Sequence, residues 1–118
     1  MQWPTLKNRR QFDLVYSQGR KRVAPALVLF YLREAPDQQV AFVASRKVGG
    51  AVQRNRAKRL MRVAFRQLAG TQPMPHGWIV LIARAEILKV KSGLVQQQLG
   101  ELLADMEQSH DGDGVQGE

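Results

Sequence analysis

Between Gln38 and Ala85 the chain holds no acidic residue, yet this span carries Arg46, Lys47, Arg54, Arg56, Lys58, Arg59, Arg62 and Arg66. Side chains of this type and density do one kind of chemistry well: they hold phosphate oxygens. Arginine predominates, and its planar fork both grips phosphate and stacks on bases. At about 100° per residue, Arg54, Asn55, Lys58, Arg59, Arg62 and Arg66 share one helical arc, with Ala57, Leu60, Met61, Ala64 and Leu68 opposite. Like charges four residues apart (Arg54/Lys58, Lys58/Arg62, Arg62/Arg66) each disfavour an isolated helix by about 0.2–0.5 kcal/mol, a cost that a polyanion would relieve. A merely solvated face normally alternates signs. A basic amphipathic helix also suits a membrane surface, but in so small a domain its apolar side is needed to cover a sheet. The amide of Asn55 both donates and accepts, which suits a sugar hydroxyl or base edge and equally an ordinary helix cap. Arg56 projects nearer the core edge, where anchoring the helix competes with touching a ligand.

Aromatic rings supply the other half of a single-strand surface, because a base stacked on a ring gains about 1–3 kcal/mol whatever its identity. Phe12 and Tyr16 are four apart and share a helix face. Phe30 and Tyr31 point to opposite sides of an extended segment, so only one of them can join that pair. Core packing is the competing reading for each of these rings, and Trp78 and Phe42 read as core.

Catalysis by protein groups finds little to work with. The basic body offers His76, in a Pro-rich loop, and Asp13, Glu34, Asp37 and Glu86, which are scattered; the other histidine, His110, lies in an acidic C-terminal stretch. Cysteine is absent, and no histidine cluster has metal-ligand spacing. Val48-Gly49-Gly50 lacks a following Gly-Lys-Ser/Thr and is not a nucleotide-binding phosphate loop. These residues describe a binder.

The elements that must position them come from one small domain of 118 residues, 44% of them hydrophobic, enough for a core without metal or disulfide staples. The net charge of +8 hides an asymmetry: all 18 basic residues lie between Lys7 and Lys91, while six of the ten acids follow residue 100. Residues 1–99 thus hold eighteen cations against four acids, a net +14, and the remainder is −6. Such a field attracts nucleic acid or an anionic surface. No apolar run approaches the ~20 residues that span a bilayer. The expected location is cytoplasmic, with no membrane partner.

Asn8 with Gln11 forms a capping-box pattern and Gly19 a stop, predicting a helix over about Arg9 to Ser17. Leu27 to Leu32 reads as a strand, Ala35-Pro36-Asp37 as a turn, and Gln39 to Ser45 as the return strand of an antiparallel hairpin. Val52 to Ala69 is the longest predicted helix, ending at Gly70. Trp78 to Ala83 is an apolar run suited to a central strand. Ser92 can cap a last helix carrying Leu94, Val95, Gln98, Leu99, Leu102, Leu103 and Met106. The result is an α+β fold, helices against one sheet in the order α-β-β-α-β-α, over residues 1–108, with a disordered acidic tail at 109–118.

The segment Ser45 to Arg62, with Lys47-Val48-Gly49 leading into Arg54-Asn55-Arg56-Ala57-Lys58-Arg59, strongly resembles the signature of the bacterial ribonuclease P protein component. Phe12-Asp13-Leu14-Val15-Tyr16 before Gly19, and Ile79 to Arg84 before the last helix, extend the resemblance over about residues 6 to 106. The resemblance implies the sandwich of ribosomal protein S5 domain 2, with a left-handed βαβ crossover where the general rule favours a right-handed one. It further implies a protein that assists a catalytic RNA in removing the 5′ leader of precursor tRNA. The RNA would perform the hydrolysis with Mg²⁺, bound mainly by that RNA and the substrate, while the protein raises substrate and Mg²⁺ affinity. Carried over by position, Phe12, Tyr16, Phe30, Lys47, Arg54, Asn55, Arg59 and Arg62 would line a cleft for the single-stranded leader. Arg46, Arg56, Lys58 and Arg66 would face the catalytic RNA, and no residue would be catalytic or bind metal. Gly50, Ala41 and Val63 depart from the residues common in the family, and none of the three removes a cleft cation. An RNA-binding ribosomal or assembly protein on the same fold, and a stand-alone nuclease, are the alternative readings.

Overall fold

The computed structural model describes residues 3–109. Helix α1 spans Arg9–Gln18. Its capping box is present as the sequence predicts: the Gln11 amide N–H donates to Asn8 Oδ1 at 3.0 Å, and the Asn8 N–H donates to Gln11 Oε1 at 3.3 Å. Four strands follow, β1 (Arg20–Val23), β2 (Leu27–Leu32), β3 (Gln39–Val43) and β4 (Trp78–Ala83), the last three on the apolar runs. Helix α2 (Ala51–Ala69) joins β3 to β4, a short 3-10 turn at Ala85–Lys89 follows β4, and α3 (Ser92–Ser109) closes the described chain. Beyond Ser109 the expected acidic tail lies outside the described residues.

The sheet order is β1-β2-β4-β3, which corrects the expected hairpin. β2 and β3 do not pair with one another; β4 lies between them, antiparallel to β2 and parallel to β3. Parallel neighbours need a crossover, and α2 is that crossover. β4 is thereby central, as its continuous apolar run implies. Strand β1 was not expected, because Arg-Lys-Arg-Val shows no apolar alternation. It pairs antiparallel with β2 as an edge strand.

Alternation along the strands divides the buried residues into two cores. Leu27, Leu29, Tyr31, Val40, Ile79, Leu81 and Ala83 face α2 and α3, where Met61, Phe65, Val95, Leu99 and Leu103 complete the larger cluster. Leu32, Ala41, Trp78 and Val80 face the other way and meet Leu6 and Val15 beneath α1. Helices therefore cover both faces of the sheet, as the continuous apolar run of β4 implies. Inside the larger core, the buried Gln98 accepts the Ala26 amide N–H at 2.9 Å, satisfying a donor just before β2. The N-terminal segment lies along the outer edge of β3: the Val40 N–H donates to the Pro4 carbonyl at 2.9 Å. From there Trp3 packs edge-on against Phe65 in one core, and Leu6 enters the other.

Gly77, which leads into β4, sits at φ +124°, and a Cβ there would meet the Leu32 carbonyl oxygen at 2.5 Å. Gly77→Ala is expected to destabilise the chain by about 1–3 kcal/mol, read from the midpoint of urea unfolding. An unchanged midpoint would contradict this account of the β4 entry.

Candidate nucleic-acid interface

Helix α1 is ten residues long, too short to roof all four strands. What it leaves uncovered follows from the register. Val23 pairs with Val28, Val28 with Ile82, and Ile82 with Val43, so one apolar row crosses the whole sheet on the α1 side. None of its four members is buried, and Val23 is 53% exposed. The next row, Lys21, Phe30, Val80 and Ala41, disappears beneath the helix as it crosses from β1 to β3.

The predicted rings border this open row. Phe12 and Tyr16 lie 6.1 Å apart between centroids, and Tyr16 meets Phe30 edge-on at 4.9 Å. Phe12 and Phe30 are half-buried and Tyr16 is 40% exposed. They form one continuous aromatic edge: Phe12 and Phe30 pack inward against the smaller core, and Tyr16 stands outermost. Tyr31, on the opposite sheet face, is buried and its hydroxyl donates to the His76 carbonyl at 2.5 Å.

The row ends at Val43, the last residue of β3, and the chain turns there into Ser45-Arg46-Lys47-Val48-Gly49-Gly50. Buried Val48 anchors the turn, whose backbone closes through Val48 N–H to the Ser45 carbonyl and Gly49 N–H to the Arg46 carbonyl. Arg46 and Lys47 stay exposed. Helix α2 begins immediately after, with Gly50 as its N-cap. Asn55 is therefore not the cap; it lies exposed within the helix. Of the two readings left open for Arg56, anchoring is instead found at Arg54, half-buried, whose Nη1 donates to the Gly49 carbonyl at 3.1 Å. Arg56 is exposed.

Further along α2 the cations occupy the other layer. Arg62 lies over the Phe42 ring at 5.5 Å, and Phe42, half-buried, packs toward Phe65 on the α2 side of the sheet. The structure thus brings Phe12, Tyr16 and Phe30 together beside the open row, and the chain leaves the β3 end of that row into the turn that carries Lys47 and leads to α2. Arg59, Arg62 and Arg66 extend that positive surface along the exposed face of α2, with Lys58 half-buried among them. No described acid forms an ion pair with any of these α2 cations; Arg9–Asp13 and Arg22–Asp105 pair elsewhere among the described residues. Sequence reasoning missed Val23, Val28, Val43 and Ile82, because a row across four strands is visible only once the strand order is known.

The acids in the body are occupied or apart. Asp13 sits 4.0 Å from Arg9 on α1, and Asp37 accepts the Trp78 indole N–H at 2.7 Å. Among the described residues no three of His, Asp or Glu converge, a donor set that does not fit a Mg²⁺ cage. No described helix is long and apolar enough to cross a membrane.

Comparison with known proteins agrees with this geometry. The family model described as Ribonuclease P matches residues 3–107. The chain is similar to the ribonuclease P protein component of Nitratiruptor sp., 40% identical over 99 residues, 84% of this chain and 88% of that protein. It is also similar to that of Dehalococcoides mccartyi, 36% identical over 100 residues, 83% of this chain and 80% of that one. Among solved structures, the ribonuclease P protein from Thermotoga maritima superposes with a TM-score of 0.71 at 31% identity, covering 84% of this chain and 94% of its own. The Staphylococcus aureus ribonuclease P protein shares the fold, with a TM-score of 0.72 at 22% identity over 90% of this chain and 96% of its own.

Burial, with a smaller push from the Asp13 carboxylate, raises the Tyr16 hydroxyl above the ordinary tyrosine value. A folded-state value raised in this way contributes stability below about pH 10 that is lost as pH climbs through the folded value. An alkaline absorbance titration, differenced against Tyr16→Phe, should find this late-ionising phenol, and Asp13→Asn should bring it only part of the way down. A complete return to the ordinary value would make Asp13, not burial, the main cause.

Proposed function

The chain belongs to the bacterial ribonuclease P protein family, and on that premise we propose that it works beside the catalytic RNA by holding the single-stranded 5′ leader of precursor tRNA. The observation that carries this reading is the half-exposed edge Phe12–Tyr16–Phe30 along an open apolar row whose β3 end meets uncompensated cations. Leader bases stack on the rings, each stack adding about 1–3 kcal/mol without regard to sequence. The row of Val28, Val43 and Ile82 excludes water beneath them, and Lys47, Arg54, Asn55, Arg59 and Arg62 hold phosphate and sugar oxygens. Arg46, Arg56, Lys58 and Arg66 face the catalytic RNA.

In this proposal the RNA carries the hydrolysis, with Mg²⁺ bound mainly by the RNA and the substrate. The protein neutralises backbone charge and fixes the leader, which raises substrate affinity and lets the RNA hold Mg²⁺ at lower concentration. No acid–base step is asked of the protein, consistent with its scattered carboxylates and with His76, a loop residue whose Nε2 lies 3.2 Å from the Ala35 carbonyl.

With about five phosphates neutralised, the log–log dependence of single-stranded leader affinity on salt should have a slope near −3.5, and a flat response would remove the electrostatic half of the reading. Phe12→Ala, assembled with a bacterial ribonuclease P RNA, should weaken precursor tRNA binding by about 1–3 kcal/mol while mature tRNA binding is unchanged. Equal losses on both would deny the rings a leader role.

A further inference from the structure

Strand β1 carries three consecutive cations, and the strand pleat separates them. Arg22 faces the α3 side and donates its Nε to Asp105 at 2.6 Å. Lys21 faces the opposite way, toward the open row. It lies across from Phe30 in the ladder, its Nζ stands 5.7 Å from the Phe30 ring centre, and no described carboxylate pairs with it. On the same face two residues on is Val23, the exposed end of the row. An exposed ammonium that no described carboxylate pairs therefore stands at the β1 end of the row, while the chain leaves its β3 end into the turn that carries Lys47.

We propose that Lys21 holds a backbone phosphate of the leader at the β1 edge, so that the strand crosses all four β-strands between two cationic ends. The inference rests on the leader reading above and adds a residue and a length to it. Four strands about 4.8 Å apart make a trough about 14 Å across. A stacked strand rising about 3.4 Å per nucleotide crosses that width in about four nucleotides. With the catalytic RNA, and so the cleavage site, on the Arg46 side as in the reading above, the leader enters at the β3 end, and Lys21 is then a length reader: leaders too short to reach β1 do not touch it. Its ammonium suits a phosphate as a compact point charge, and its place over Phe30 keeps it beside whichever base stacks on Tyr16 and Phe30.

The test uses the full chain assembled with a bacterial ribonuclease P RNA and precursor tRNAs bearing leaders of about two and about eight nucleotides, one shorter and one longer than the trough. For the long leader, Lys21→Gln should weaken binding about threefold near physiological salt. It should also flatten the log–log salt slope by about 0.7. The short leader should bind the variant as it binds the wild type, and Lys21→Arg should restore the long-leader slope. An unchanged slope for Lys21→Gln, or an equal loss on both leaders, overturns the assignment of Lys21. A wild-type assembly that gains no affinity from the longer leader removes the leader reading itself, a result distinct from the behaviour of the Lys21 variants.

Discussion

The pairing of β4 with both β2 and β3 is the constraint on which the molecule depends. Because β3 and β4 are parallel neighbours, the chain between them must cross over a sheet face, and α2 occupies that face. The other face is left to the short α1, whose ten residues roof only part of it. An uncovered apolar row, an aromatic edge beside it, and a cationic helix that starts where the row stops are all consequences of this one arrangement. Were β2 and β3 paired as a hairpin, Val28 and Val43 would not be separated by Ile82, and the row would lose its middle.

The same arrangement lets a small domain carry many unpaired cations. The cationic arc of α2 is destabilising in isolation, but Ala57, Met61, Ala64 and Phe65 bury the opposite side against the sheet and α3. Burying such side chains contributes about 1.5–3 kcal/mol for each large one, far more than the repulsion along the exposed face removes. The N-terminal segment adds to this by joining both cores: Trp3 enters one and Leu6 the other, while Pro4 satisfies the outer edge of β3. An edge strand covered in this way no longer offers its hydrogen-bonding groups to another chain.

Much of this was legible locally. The Asn8/Gln11 box, the bounds of β2 and β4, the helix over residues 51–69 and the opposite facing of Phe30 and Tyr31 all follow from signals contained within a few residues. The failures share a different cause, since each depends on what a segment packs against. The hairpin was inferred from a good turn signal at Ala35-Pro36-Asp37, and turn signals say nothing about whether a third strand comes between. β1 leaves no local signal because Arg-Lys-Arg-Val lacks apolar alternation and its stability comes from ladder bonds to β2. The anchoring of Arg54 was missed because a helical wheel shows direction but not the carbonyl of Gly49 waiting at the helix start. Phe12 and Tyr16 could be placed on one face from their spacing, and Phe30 beside them only through the family resemblance; that their edge adjoins an open row could not be read at all.

The hairpin signal between β2 and β3 has a consequence for a chain emerging from its N-terminus. Both strands and their turn exist before residue 78 is made, so the local code favours a ladder that the finished protein does not contain. The correct partner arrives late and has to separate them, with contacts spanning some of the longest sequence distances in the sheet. Folds dominated by such distant contacts assemble slowly, and a competing local register adds frustration to that delay. Vectorial synthesis thus offers a local pairing of β2 with β3 before it offers the strand that separates them in the finished sheet.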